Sequence, residues 1–365
     1  MTKLFYTSSY IDSKKFTDLE DLFSYIEPSE MILIFDTNVV IGYRQYFFNP
    51  TQFTQNHDTK EYLKSMRNLV KKIEKFNLEV NASFGVEESC RELYDFSINS
   101  KKLEQTRTTV KRMLHEGISD FDNHLTTRQY FGEEIKLKTE FPSSKLECLM
   151  QESTFQHLLI VSYISMLKVV ELHYLLQAGI IKKLEAYKTF VEFMRSELDV
   201  LSGMHTHYAA HLFGGALNYS ELWKKKKAKN NEKKLHNIFN ASIDVICPVI
   251  AGKTQQIYDK IGSKKLIPVF VSGDKLLSDL HSRRNIKVIF EENPSLVQKN
   301  FTSEFVFHDY HLEILNWTEE EYKSIQEIND NANRPSNVLI NEPKKAIQFL
   351  PLVKELENKA LNLMK

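Results

Sequence analysis

Two aspartates stand where a chain of this kind could do chemistry. Met31-Ile32-Leu33-Ile34-Phe35 runs directly into Asp36, and Leu266-Ile267-Pro268-Val269-Phe270-Val271 ends at Ser272-Gly273-Asp274. An apolar run with no polar face suits a central strand of a parallel sheet, buried on both sides. In such sheets ligands bind beyond the carboxyl ends of the strands. Two carboxylates delivered to one rim repel each other unless something positive lies between them. A hard cation such as Mg²⁺ or Mn²⁺, which prefers carboxylate and water oxygens, resolves that conflict. Thr37, Asn38 and Ser272 adjoin the two acids and have the side chains to orient ligands by hydrogen bonding. Turn chemistry competes with this reading at every one of these positions, because Asp, Asn, Ser and Thr also cap helices and close turns.

The elements that must position these acids follow from patterning. Leu78-Glu79-Val80-Asn81-Ala82 reads as a second strand, and Ser83 can cap a helix with Glu87 and Glu88 in its first turns. Residues from about 95 to 240 read as helices. Gln156 to Gln177 is apolar with only Lys168 and Glu171 charged, Ile180 to Leu201 follows after Gly179, and Pro142 is the only proline between 51 and 247. Proline inside a helix costs ~3 kcal/mol, so its scarcity favours helices. Strand character returns at 266–271 and again at Ile286-Lys287-Val288-Ile289-Phe290, with a short helix from Lys275 to Arg284 between them. Strand, helix, strand, helical block, strand, helix, strand is the order of an α/β sheet with a helical insertion. The spacing of Leu350 to Leu363 after the mixed stretch beyond 300 predicts a docked C-terminal helix, a candidate homo-oligomer contact.

Composition bounds the alternatives. The chain has 365 residues, 42% hydrophobic and 26% charged, with zero formal net charge. That is ordinary for a globular protein, and any polyanion surface must be local. Cys90, Cys148 and Cys247 are odd in number and widely spaced, which argues against a disulfide scaffold or a zinc ribbon. The N-terminal residues lack a long apolar segment, and apolar stretches such as Leu158–Val161 fall short of the ~20 residues a membrane span needs. A cytoplasmic protein without a membrane partner is the expectation.

The two strand–aspartate segments resemble a known family. Ile32-Leu33-Ile34-Phe35-Asp36-Thr37-Asn38-Val39-Val40 is similar to the opening strand of PIN-domain nucleases. Val269-Phe270-Val271-Ser272-Gly273-Asp274-Lys275-Leu276-Leu277 is similar to their later strand–aspartate segment. The family carries an acid early in the helix after the second strand, matched here by Glu87 or Glu88, and another on the helix before the late strand, matched by Asp244. The resemblance covers roughly residues 30–95 and 235–292. It implies a PIN-like three-layer α/β/α core with a central parallel sheet and metal-dependent cleavage of phosphodiester bonds, usually in RNA. Asp36, Glu87 or Glu88, Asp244 and Asp274 would hold one or two Mg²⁺ or Mn²⁺ ions, which activate water and stabilise the leaving oxygen. The implied layout is a first core part at 1–94, a helical insertion at 95–235, a second core part at 236–300 and a mostly helical C-terminal extension at 301–365. The insertion is the departure, because compact family members lack it. Family habit adds a toxin-like or defence role. The alternatives are a degenerate scaffold that binds RNA or a protein without cutting it, and a flap-type DNA nuclease, for which Asp279 is the one obvious extra acid.

Two further clusters bear on partners. Lys224, Lys225, Lys226 and Lys227 open a run that, from 221 to 240, holds seven lysines and two glutamates, a local charge of +5. Such a run can grip RNA phosphates, with Tyr219 and Trp223 beside it to stack on bases. His207 and His211, four apart, share a helix face with zinc-ligand spacing, but no HExxH accompanies them, and core or surface histidines are the simpler reading for these two and His205.

Overall fold

A computed structural model describes residues 3–8, 11, 14–48, 57–91, 98–115, 117–123, 156–198, 203–224, 230–260, 266–282, 286–290, 301–305, 316–331 and 348–364. The chain divides into two compact units. The first comprises Met1–Pro142 and Cys247–Asn285; the second comprises Ser143–Ile246 and Ile286–Lys365.

The first unit is built on a five-stranded mixed sheet of β1 (Phe5–Thr7), β2 (Lys15–Phe16), β3 (Met31–Phe35), β4 (Glu79–Asn81) and β5 (Ile267–Ser272), in the order β2-β1-β5-β3-β4. β3 lies parallel to both β4 and β5, with Leu33 opposite Val80 on one side and Val269 on the other. All five residues of β3 are buried, as its unbroken apolar run requires. The side chains alternate by the two-residue period of a strand. Leu33, Phe35, Val269 and Val271 enter one core, with Val39, Tyr43, Met66 and Val70 from the Thr37–Phe48 and His57–Phe76 helices. Ile32, Ile34 and Phe270 enter another, with Cys247 and Leu277. The parallel α/β centre is therefore present, with helical residues on both faces of the sheet.

Three features differ from the sequence reading. An N-terminal hairpin, β1 with β2, joins the sheet antiparallel to β5, pairing Phe5 with Ser272. The expected last strand of the sheet, β6 (Ile286–Phe290), pairs instead with β7 (Phe301–Phe305) as a separate antiparallel ribbon. The first helices of the expected insertion, Ser100–His115 and Gly117–Asn123, belong to the sheet unit. Phe121 stacks on Tyr46 at 4.7 Å and accepts the Tyr46 hydroxyl on its carbonyl, while Arg67 grips Asp122 with two hydrogen bonds of 2.6 Å. Aromatic burial of this kind outweighs chain order in deciding where a helix docks.

Among its described residues the second unit is helical apart from the β6–β7 ribbon. The Gln156–Gln177 helix is its centre. By length and hydropathy it would pass for a membrane span, but most of its side chains, including Ile160, Ile164, Leu167 and Val170, are buried inside the unit. The C-terminal helix, Leu350–Leu363, docks on it as expected. Val353, Leu356 and Ala360 form the buried face, and Glu357 accepts the Tyr163 hydroxyl at 2.7 Å.

Candidate active site at the carboxyl end of the sheet

Asp36 follows β3 directly and is only 2% exposed. Its backbone N–H donates to Val271 on β5 at 3.0 Å, and its carbonyl receives Val39 at 3.0 Å, so the next helix starts at the strand end with no loop. One carboxylate oxygen, Oδ1, accepts the Thr37 N–H at 2.7 Å. The other, Oδ2, accepts the Ser272 hydroxyl at 2.6 Å and the Asn38 amide. The Asn38 carbonyl oxygen Oδ1 in turn receives the Gly273 N–H at 2.7 Å, and its amide also reaches Ser272 Oγ at 3.2 Å. Asn38 and Ser272 thus tie the ends of β3 and β5 together around one carboxylate. Thr37, Asn38 and Ser272 each donate a hydrogen bond to the Asp36 carboxylate.

Asp274 lies on the same rim. Its Oδ1 accepts Leu276 and Leu277 N–H groups at 2.8 and 3.0 Å, capping the Lys275–Ser282 helix. Burial, and then the Asp274 charge, push the Asp36 carboxyl up to about 6, against the opposing pull of the Ser272, Thr37 and Asn38 hydrogen bonds. A buried carboxylate facing a second carboxylate favours its protonated form.

The structure separates the two glutamates. Glu87 forms an ion pair with Arg91, one helical turn on, whose side chain is 8% exposed. Glu88 instead accepts the Thr37 hydroxyl, which places it one hydrogen-bonded residue from Asp36. The Ser83–Glu88 helix reaches this position through Gly85. A Cβ there would sit 2.9 Å from the Phe35 carbonyl oxygen and 3.1 Å from the Asp36 carbonyl carbon. Only glycine lets the helix lie on the strand end. Sequence reasoning passed over Gly85, although a glycine inside a helix, costing ~1 kcal/mol, is a signal that something must approach closely. It also passed over Tyr62, whose hydroxyl donates to the Asn38 carbonyl at 3.2 Å.

Asp244 is half-buried on the Asn231–Lys260 helix and belongs to the second unit, close enough to Tyr208 to help push its phenol up. Among the described residues no group of three His, Cys, Asp or Glu forms a ready metal site. The donors that do gather are carboxylate, hydroxyl and amide oxygens, the chemistry Mg²⁺ and Mn²⁺ select. With two donors on Oδ2 and one on Oδ1, Asp36 retains acceptor capacity on Oδ1.

The lysine and histidine expectations resolve differently. Lys225, Lys226 and Lys227 lie outside the described residues; Lys224 is exposed. Trp223 and Tyr219 are 2% and 0% exposed, so they pack in the second unit and do not stack on bases. Burying their rings is worth more than leaving them beside the lysines in water. His205, His207 and His211 are all buried on the Gly203–Phe213 helix. His205 meets the Ser162 hydroxyl at 2.7 Å, and burial lowers it to about 3, keeping it neutral. They read as core histidines.

No family model, curated protein or solved structure matches this chain. The class that fold and site define is therefore an α/β protein with a carboxylate pair at the carboxyl end of its central strands.

Proposed function

We propose that the first unit is a PIN-like core and that the protein is a metal-dependent endoribonuclease, hydrolysing RNA phosphodiester bonds with Mg²⁺ or Mn²⁺. The observation that carries this reading is the buried Asp36 carboxylate held against Asp274 at the ends of β3 and β5, a charge conflict that a divalent cation relieves. Asp36, Asp274 and Glu88 are the residues that would hold the ion. Glu87, paired with Arg91, drops out.

A bound divalent ion in such a site supplies an activated water and neutralises charge on the phosphate. The chain's own part is to hold the acceptors. Asn38 and Ser272 fix the direction of Asp36 Oδ2, Thr37 presents Glu88, and the helix cap fixes Asp274 with Oδ1 engaged. Preorganisation of this kind keeps the carboxylates aimed when the ion arrives.

A degenerate scaffold that binds RNA or a protein without cutting is the second reading. It is favoured by one specific observation: Asp36 Oδ2 and Asp274 Oδ1 already have two donors each. Incubating wild type and Asp36→Asn with a mixed RNA pool in Mg²⁺, Mn²⁺ or EDTA separates the two. Cleavage by wild type alone, abolished by EDTA, is the expected result. Cleavage that survives EDTA, or proceeds equally in the variant, overturns the metal-nuclease reading. Binding without cleavage in any metal selects the scaffold.

A further inference from the structure

Asn38 is the hub of the strand-end network, and a residue from another helix holds the hub in place. The Asn38 side chain donates to Asp36 Oδ2, reaches Ser272 Oγ at 3.2 Å and accepts the Gly273 N–H at 2.7 Å. Where that side chain points depends on the backbone that carries it. The peptide unit between Asn38 and Val39 is held at both ends. Its N–H, from Val39, donates to the Asp36 carbonyl at 3.0 Å, and its carbonyl, from Asn38, accepts the Tyr62 hydroxyl at 3.2 Å. Tyr62 comes from the His57–Phe76 helix and is only 3% exposed. Burial, and then the nearby Asp36 charge, push its phenol well above the usual range, so the hydroxyl stays a donor.

Ring packing alone does not call for this hydroxyl. A phenylalanine ring would fill the same space, and a hydroxyl taken out of water is unfavourable unless it is bonded. The contact also depends on a glycine in the middle of the Thr37–Phe48 helix, where glycine is less favourable than alanine. A Cβ on Gly42 would lie 2.7 Å from Tyr62 Cε1 and 3.1 Å from its hydroxyl oxygen. Gly42 therefore makes room for the Tyr62 ring, as Gly85 makes room for the Ser83–Glu88 helix. Each is a glycine inside a helical pattern that marks a close approach, and each approach leads to the end of β3.

We propose that Tyr62 is a positioning residue for the Asp36 carboxylate and acts through Asn38. Its consequence for metal binding rests on the reading that Asp36 holds a divalent cation; the positioning itself does not. Tyr62→Phe keeps the ring and removes the donor. Tyr46→Phe is the control, because the Tyr46 hydroxyl also donates to a buried carbonyl of the same core, that of Phe121 at 2.9 Å, outside the Asp36 network. Mn²⁺ binding to the full chain is measured by calorimetry. Tyr62→Phe should weaken it about fivefold, the scale of one net hydrogen bond, whereas Tyr46→Phe should leave it unchanged. A second measurement needs no metal. Denaturant melts of Tyr62→Phe, Asp36→Asn and the double variant close a thermodynamic cycle. The loss in folding constant caused by Tyr62→Phe should shrink severalfold when Asp36 is already replaced, while Tyr46→Phe and Asp36→Asn should be additive. Additivity of Tyr62→Phe with Asp36→Asn overturns the proposal and leaves the hydroxyl as a packing contact. So does an Mn²⁺ affinity that Tyr62→Phe leaves unchanged in a protein that binds the ion. If wild type binds no Mn²⁺, the metal reading alone falls, and the cycle decides the role of Tyr62 by itself.

Discussion

Asp36→Asn tests the charge conflict at the strand ends through stability alone, before any substrate is known. The Asp36 carboxyl rises from an ordinary 3.8 to about 6 on folding. At ~1.4 kcal/mol per pH unit, the folded state therefore carries about 3 kcal/mol against the ionised group. The unfolded chain releases this proton first, so between pH ~4 and ~6 the native state binds more protons than the unfolded one. Stability consequently falls as pH rises through that window and stays lowered at pH 7. Asparagine carries no charge and escapes the penalty. It also turns one amide N–H₂ toward the Asn38 amide, which leaves a donor facing a donor at a cost of ~1–2 kcal/mol. The variant should therefore be more stable than wild type by about 1–2 kcal/mol at pH 7, and equal or less stable at pH 4. Buried His173 and His205, both lowered, titrate in the opposite sense on acidification, so the readout is the difference between the two proteins across pH, measured by denaturant melts. Mn²⁺ at tenfold over its Kd should stabilise wild type by ~1.4 kcal/mol and the variant by much less. A variant less stable than wild type at pH 7, with the difference independent of pH, would refute the reasoning and leave Asp36 as a turn-closing residue.

Other perturbations read other parts of the same arrangement. Glu88→Gln should weaken Mn²⁺ stabilisation whereas Glu87→Gln should not, because Arg91 already neutralises Glu87; equal effects from the two would remove the distinction. Gly85→Ala should cost ~1–3 kcal/mol in chemical denaturation, since its Cβ meets backbone at Phe35 and Asp36 that has no rotamer with which to yield; an unchanged midpoint would mean the helix does not rest on the strand end. Replacing Lys224–Lys227 with alanine should weaken RNA binding and flatten its salt dependence by up to about four charges' worth of counterion release, read by fluorescence anisotropy at several salt concentrations.

The centre of the sheet was legible because its signal is local. β3 is five apolar residues followed by an acid, and β5 repeats the pattern, so burial on two faces and a polar rim can be read without knowing the partners. β1 and β2 were not legible. They are three and two residues long, and β1 is completed only by β5, more than 250 positions later in the chain, as the pairing of Phe5 with Ser272 shows. The fate of β6 was hidden for a related reason: its β-rich pattern specifies a strand but not which edge it pairs with. Glu87 and Glu88 stand about 100° apart around a helix, so choosing between them needed the docking of that helix, fixed by Gly85 and Arg91. Trp223 was misread because the lysines beside it suggested an open surface. A tryptophan beside a charged run is often the anchor of that run, buried while its neighbours reach into water.

Asp274 shows why the cap and the metal-ligand readings of a rim aspartate need not exclude each other. Its Oδ1 receives two N–H groups from the start of the Lys275–Ser282 helix. That same helix start carries positive partial charge, which favours a carboxylate there. The capping bonds fix the side chain's direction, and Oδ2 makes none of them. A carboxylate used in this way is held for one oxygen by the fold and offers the other to whatever enters the rim. Asp36 is the converse: deeper, with donors on both oxygens and its charge opposed by burial. The two acids thus differ in what a cation does for them. For Asp274 an ion adds a partner to an oxygen that the cap does not use. For Asp36 it compensates a charge whose burial disfavours folding. Metal should accordingly lower the apparent proton affinity of Asp36, and the acid-side gain in stability that wild type shows without metal should shrink in saturating Mn²⁺. Melts at pH 5 and pH 7, with and without Mn²⁺, measure this coupling directly. A pH dependence that Mn²⁺ leaves unaltered, in a protein shown by calorimetry to bind the ion, would place that ion somewhere other than on Asp36.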